Sequence, residues 1–333
     1  NQKAYIGLAG IKDYKEFWLA MHQGGSSAID QGEAYGLRSI LKNTEIEAKS
    51  FTWFDTGTLS ALKRTREAYS QPNQPNILEK ENEAIWFVGE RVIKFSDNLK
   101  FIENRVHRAQ VLKEFTPELL ASKSHMYCYR KVKGEVLSKV LSLPLFQSLL
   151  EHCEEFWAIA ELTSESKKNF VNTCKGFYHD KTLERVELFY QNFNKHDHNE
   201  RINDEDMPTL SVLLEDVDWE ELANGLPGRF HGDFHFENIL WNKETKNFTL
   251  LDWRQNFGGD LEVGDIYYDL AKLLHGLIVS HEMIVADSFD VYWSKNEIYF
   301  DLHRKQVHVE CELYFSTWCE KKGFDFRKVR ILT

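Results

Sequence analysis

The chain has no CxxC pair, no membrane-length apolar run, no block of lysine and arginine, no internal repeat and no low-complexity tract. Each absence excludes something. Five scattered cysteines (Cys128, Cys153, Cys174, Cys311 and Cys319) argue against a zinc ribbon or a disulfide scaffold and favour a reducing, cytoplasmic setting. Without about 18 consecutive apolar residues no membrane span is expected, and no signal peptide is legible at the start. A net charge of −11 makes the surface repel nucleic acid and anionic lipid unless a local basic patch exists. Arg105, Arg108 and Lys113 share one helical stretch, which reads as a solvated face. The chain opens Asn1-Gln2-Lys3-Ala4 with no initiator Met, so a natural start further upstream is expected.

What is present divides the 333 residues in two. Ser70-Gln-Pro-Asn-Gln-Pro-Asn76 breaks both helix and strand, so 71–76 is expected to be a linker. Before it, 1–70 reads as a short α/β block: helices over 11–21, 34–41 and 58–69, and a strand over 48–53. About 70 residues make a marginal independent domain. After the linker, 84–88 and 91–95 read as strands around a Gly89-Glu90 turn, 101–115 as a helix and 126–132 as a strand. Helical patterning dominates from 145 to about 193, followed by a polar connection. That order predicts an α+β, two-lobed body: a small β-rich lobe over 77–133 and a mostly helical lobe over 134–333.

The densest chemistry lies in Phe230-His-Gly-Asp-Phe-His-Phe-Glu-Asn-Ile-Leu240, with Leu250-Leu-Asp252-Trp following. Asp233 and Asn238 are five apart on an apparent loop, and Asp252 comes fourteen residues after Asn238. Residues 239–241 and 248–251 read as a hairpin across a polar turn, which would return Asp252 to the side of Asn238. A carboxylate near an attacking hydroxyl, with carboxylate and amide oxygens for a hard cation, is what phosphoryl transfer asks of a protein. A second interpretation makes His231 and His235 ligands of a hydrolytic metal, but Gly232 and Asp233 make the segment a loop and no third ligand is evident. His231 is expected to hold the loop, and His235 to do the same or line the site. Asp265 precedes an amphipathic helix (Ile266, Leu270, Leu273, Leu274) and suits an N-cap.

The HGDFHFEN segment resembles the catalytic loop of the aminoglycoside phosphotransferase and choline kinase-like family, and it keeps the Asp-to-Asn spacing of the protein-kinase loop. Leu-Asp252-Trp is similar to that family's second metal-binding Asp, and Gly264-Asp-Ile-Tyr-Tyr-Asp-Leu-Ala-Lys-Leu273 is similar to the helix that follows it. The likeness is strong over 229–275 and weaker over the rest of 77–333. It implies a bilobal protein-kinase-like fold. It also implies that Asp233 orients or deprotonates the acceptor hydroxyl, that Asn238 and Asp252 hold Mg²⁺, and that ATP is the phosphate donor. Lys94 in Val-Ile-Lys-Phe would be the phosphate-binding lysine, the alternative being an edge-strand lysine. Glu103 would be its helix partner, and the backbone of Tyr129 to Val132, including Lys131, would receive the base. No GxGxxG precedes Lys94, so Glu79-Lys-Glu-Asn-Glu83 would have to cover the phosphates despite its acidity. Arg254 would contact phosphate or acceptor, or form a surface ion pair.

Trp53-Phe-Asp-Thr-Gly-Thr58 resembles the WxDTGT motif late in sugar-phosphate nucleotidyltransferases, which makes Asp55 a candidate for metal and sugar phosphate. That family's glycine-rich nucleotide loop is absent, so 1–70 reads as the tail of a longer protein. A small helical appendage with a chance DTG turn is the alternative. The implied function is an ATP-dependent small-molecule kinase acting on an alcohol, amino alcohol or sugar, feeding a nucleotidyltransferase that makes surface polysaccharide precursors. The competing expectation is an inactive kinase-like module that regulates or scaffolds the nucleotidyltransferase. Expected partners are a nucleotide and a small hydroxyl substrate, with no nucleic acid; self-association is left open.

Overall fold

The structure is a computed structural model, and it describes residues 10–41, 53–54, 56–69, 76–79, 82–294 and 297–333. The chain divides into two compact units, 1–72 and 73–333. The first contains helices α1 (Tyr14–Gln31), broken at Gly25 where φ is 51°, α2 (Glu33–Ile40) and α3 (Leu59–Tyr69). Phe17, Ala28, Ile40 and Ala61 are its buried apolar side chains among the described residues. Asp55, residues 80 and 81 of the segment expected to cover the phosphates, residues 71–75 of the expected linker and all but the last residue of the expected strand at 48–53 lie outside the described residues.

The second unit has the protein-kinase-like, α+β fold. Its first lobe runs β1 (Asn76–Glu79), β2 (Glu83–Val88), β3 (Arg91–Ser96), α4 (Leu99–Val111), β4 (Leu119–Lys123) and β5 (Met126–Arg130). The five strands form one antiparallel sheet in the order β1-β2-β3-β5-β4. The alternating, β-branched and aromatic sequence of 83–96 suits strands, and Gly89 (φ 55°) closes their hairpin. Lys94 faces Ile85 on one side and Tyr127 on the other. It therefore lies on an interior strand, which removes the edge-strand alternative. Helix α4 begins at Asn98, whose side chain accepts from the Phe101 N–H at 3.0 Å.

The chain leaves this lobe through β6 (Glu135–Val136), which pairs with β10 (Ile239–Asn242) of the second lobe. At Gly134 (φ 151°) a Cβ would stand 2.8 Å from the Trp241 carbonyl oxygen, so the connection requires glycine there. The helices α5 (Leu137–Val140), α6 (Leu143–Phe156), α7 (Ser164–Lys175) and α8 (Lys181–Phe193) follow, with one π-helical turn at Gly176–Asp180. Next come β7 (Glu200–Ile202), β8 (Glu205–Met207), α9 (Leu210–Glu215), α10 (Trp219–Ala223) and β9 (Pro227–Gly228). After β10 come β11 (Asn247–Leu250), β12 (Gly264–Asp265), α11 (Ile266–Ile278) and α12 (His281–Val285). The chain ends in β13 (Phe289–Trp293), β14 (Glu297–Leu302), α13 (Gln306–Lys322) and α14 (Phe326–Leu332). Strands β13, β14, β7 and β8 form a four-stranded sheet that the sequence did not announce. Its strands are short, and their exposed Val291, Tyr292, Trp293 and Tyr299 lack the alternating burial that marks a strand from sequence. Among the described residues no helix is long and apolar enough to cross a membrane.

The main core joins α6, α11 and α13 to the loop before β10. Phe146, Phe156, Phe234, Phe236 and Phe315 are essentially fully buried in it. Burying each such ring contributes roughly 1.5–3 kcal/mol. Apolar side chains at 230, 234 and 236 thus anchor a loop whose intervening residues are polar.

Candidate active site

The loop 230–238 is fixed from below by α11. Its N-cap, Asp265, accepts from the N–H groups of Tyr267 and Leu226 and from the Tyr178 hydroxyl (2.6 Å). One turn further, fully buried Asp269 accepts from the His231 N–H (2.6 Å), the Gly232 N–H (2.7 Å) and Trp157 Nε1 (3.2 Å). Burial pushes the Asp269 carboxyl up to about 6, against the pull of these hydrogen bonds and of Arg108. Gly232 has φ 85°, and a Cβ there would meet Arg254 Cβ at 2.6 Å, so both conformation and space demand glycine.

His231 is fully buried; its Nε2 donates to the Leu251 carbonyl at 2.8 Å and its Nδ1 accepts from the Asp233 N–H at 3.2 Å. Burial lowers its pKa to about 3. Both ring nitrogens are committed to backbone, so His231 holds the loop and does not ligate a metal. Phe236–Asn238 forms a short 3₁₀ turn into β10, and β10 pairs with β11 from Ile239↔Leu250 to Asn242↔Asn247. The Leu251 N–H donates to the Asn238 carbonyl at 2.7 Å. The hairpin thereby sets Asp252 beside Asn238. Asp252 has φ 56°, a strained backbone for a residue other than glycine and of the kind that clusters at functional sites.

The three polar side chains have distinct environments. Asp233 Oδ1 is 3.1 Å from Lys272 Nζ, and its Oδ2 is 3.3 Å from His235 Nε2. Burial alone would raise the Asp233 carboxyl; His235 and Lys272 overcome it and hold the group well below the carboxylate range. His235 also reaches Glu237 through Nδ1 (3.0 Å), and the two carboxylates lift its pKa to about 9 in spite of burial. Asn238 Nδ2 donates to the carbonyl and Oδ2 of Asp233 at 2.9 and 3.2 Å, which leaves its amide oxygen as the group available to a cation. Asp252 Oδ1 accepts from Lys94 Nζ at 2.7 Å and from Arg105 Nη1 at 2.8 Å. Burial would raise the Asp252 carboxyl, but these two cations hold it low, and burial in turn lowers the Lys94 pKa.

Other expectations need correction. Glu103 does not meet Lys94: it faces solvent and stands 3.6 Å from Lys100. The register of α4 buries Ile102, Arg105, Arg108 and Ala109 and turns 103 away. Arg105 and Arg108 are accordingly not a solvated face; only Lys113 of that trio is exposed. Arg108 is fully buried and donates to the carbonyls of Phe230, Arg254 (3.3 Å) and Leu261 (3.1 Å), tying α4 to both site loops. The backbone of Tyr129 runs within the sheet opposite Val92, and the Lys131 N–H already donates to the Glu90 carbonyl at 2.9 Å, so these two backbone groups are committed to the lobe itself. Arg254 forms no surface ion pair among the described residues; its guanidinium lies 4.9 Å from the Phe177 ring centroid, with Nε buried and unpartnered.

Asp269, Lys272, Arg105 and Arg108 were missed in the sequence. Asp269 had a signal: it falls in the buried stripe defined by Ile266, Leu270 and Leu273, where a carboxylate needs a partner. The arginines had none, because a basic residue every three positions is the ordinary pattern of an exposed helix.

The donor set suits a magnesium ion held together with phosphates. An amide oxygen at Asn238 and a carboxylate at Asp252 are hard ligands. Among the described residues no trio of His, Cys, Asp or Glu forms a cage for a metal.

Asp233, Asn238 and Asp252 thus cluster with Lys94 on a protein-kinase-like, two-lobed body. Residues 175–301, which include Asp233, Asn238 and Asp252, match the model of the phosphotransferase enzyme family (APH). Solved structures similar to the chain include an aminoglycoside phosphotransferase from Streptomyces rimosus, at 14% identity over 82% of this chain and 96% of that one, TM-score 0.45. An ethanolamine kinase from Plasmodium vivax is 11% identical over 66% of this chain and 69% of that one, TM-score 0.38. A choline kinase from Cryptosporidium parvum is 10% identical over 76% of each, TM-score 0.34. No curated protein matches the chain in sequence.

Proposed function

We propose that the second unit is an ATP-dependent small-molecule kinase that phosphorylates a hydroxyl of an alcohol, amino alcohol or sugar. The observation that supports this most is the convergence of Asp233, Asn238 and Asp252, through one hairpin, opposite Lys94 of the other lobe. Asp233 receives the acceptor hydroxyl. Its carboxyl stays ionised because His235 and Lys272 flank it, so it is a weak base. A loose transition state asks only that the hydroxyl be aimed in line and its proton taken late. Asn238 and Asp252 would hold Mg²⁺, which when bound would supply positive charge against the transferring phosphate. Lys94 aligns the phosphate chain from the floor of the sheet. The five free cysteines suit a reducing cytoplasm.

The test pairs binding with turnover. ATP with Mg²⁺ is expected to raise the melting temperature of both the native chain and Asp233→Asn. Turnover in that variant is expected to fall by about 10²–10⁴. Full turnover in Asp233→Asn overturns the role given to Asp233.

A second reading, an inactive regulatory or scaffolding module, draws on the closure of Lys94 and Arg105 over Asp252. It requires that no acceptor be phosphorylated although nucleotide binds. For the first unit, the resemblance of 53–58 supports a nucleotidyltransferase-like segment with Asp55 a candidate for metal and sugar phosphate, and hence a bifunctional route to surface polysaccharide precursors. Mass spectrometry of reactions supplemented with CTP or UTP tests this. A nucleotide-linked product supports it, and none from any accepted phosphate ester ends it.

A further inference from the structure

In protein kinases the strand lysine is neutralised by a glutamate on the neighbouring helix. Here α4 puts an arginine in that place. Lys94 Nζ and Arg105 Nη1 both reach one oxygen, Asp252 Oδ1, at 2.7 and 2.8 Å. Their side chains are only 13% and 10% exposed, whereas Asp252 is 37% exposed. Arg105 is held on several sides. Its carbonyl accepts from Trp253 Nε1 at 3.0 Å, its guanidinium lies 4.8 Å from the Phe101 ring centroid, and its Nε is buried with no hydrogen-bond partner. Glu83 on β2 adds a weaker attraction on Lys94.

Two buried cations share a single carboxylate oxygen, with only the Tyr127 hydroxyl, which Arg105 also hydrogen-bonds, and the more distant Glu83 adding to it, and a buried charge needs both a partner and satisfied donors. The remaining guanidinium donors form a planar fork that matches phosphate oxygens. The exposed member of the trio is Asp252, so a ligand arriving from solvent meets the carboxylate first and can displace it from the cations.

We propose that Arg105 is a second nucleotide-phosphate ligand. With Lys94 it forms a two-cation clamp that releases Asp252 Oδ1 and takes the phosphate chain of a nucleoside di- or triphosphate. This rests on the kinase reading of the site and deepens it. The clamp supplies phosphate-binding donors of the kind that the backbone of a glycine-rich loop supplies elsewhere. It also couples the two ligands: phosphates that draw off both cations free Asp252 for the metal. Because the cations belong to the protein, part of the phosphate affinity persists without metal.

Calorimetric titration of the full chain with ADP, adenosine and inorganic pyrophosphate, each with Mg²⁺ and with EDTA, tests the clamp. Arg105→Gln is expected to weaken ADP and pyrophosphate roughly ten- to hundredfold, the range of a charge-assisted hydrogen bond, and to leave adenosine within about twofold. Arg105→Lys, which keeps the charge but not the fork, is expected to fall between. It also serves where Arg105→Gln does not fold. Binding of ADP and pyrophosphate by either variant at the native affinity overturns the clamp and leaves the kinase reading standing. Failure of the native chain to bind any nucleotide under either condition overturns both.

Discussion

His235 lies between two carboxylates, and its protonation is the most legible pH-sensitive feature of the site. Its folded-state pKa of about 9 stands above its ordinary 6.5 because hydrogen bonds and charge from Asp233 and Glu237 outweigh burial. The folded chain therefore binds this proton more tightly than the unfolded chain does. The resulting stabilisation is complete below about pH 6.5 and is lost as pH rises toward 9. Thermal unfolding between pH 6 and 10 is expected to show that decline, and His235→Gln is expected to flatten it. An unchanged slope in the variant would assign the decline to other groups. At this scale the sequence was partly readable. The proximity of Asp233, Asn238 and Asp252 was legible from the loop spacing and the hairpin that follows it. The groups that tune them, Lys272 and Arg105, sit on other elements, and no local spacing connects residues 147 positions apart such as Arg105 and Asp252.

Helix α11 and helix α4 are the two elements that hold the catalytic-type loop, and each does so through one buried charged side chain. Asp269 takes two consecutive backbone N–H groups of the loop, and Arg108 takes the carbonyl of its first residue, Phe230, and those of Arg254 and Leu261 beyond the hairpin. Asp269→Ala leaves the His231 and Gly232 N–H groups and the Trp157 ring N–H buried without their acceptor. The cost is expected to be on the order of 3 kcal/mol or more, since each buried orphan costs roughly 1–3 kcal/mol. Chemical denaturation measures it, and a loss below about 1 kcal/mol would show that the loop is held by its phenylalanines alone. Hairpin and helix were legible because hydrophobic periodicity and turn residues are local signals. The rivets were less so: a buried charge becomes intelligible only once its partner is in view.

For the molecule as a whole, the order of strands, one helix and then helices carried the two-lobed architecture. The sheet of β7, β8, β13 and β14 was not legible, because its strands come from segments nearly a hundred residues apart and pair partly in parallel. The function proposed for the second unit rests on transfer of phosphate to a hydroxyl at Asp233. The most direct measurement is ADP release by the full chain with ATP and Mg²⁺ over a panel of alcohols, amino alcohols and sugars, run beside Asp233→Asn. The account expects at least one acceptor to raise ADP release well above the acceptor-free rate and to gain the mass of one phosphate, with both signals lost in the variant. No acceptor-dependent release across the panel, or the same release from Asp233→Asn, would contradict it.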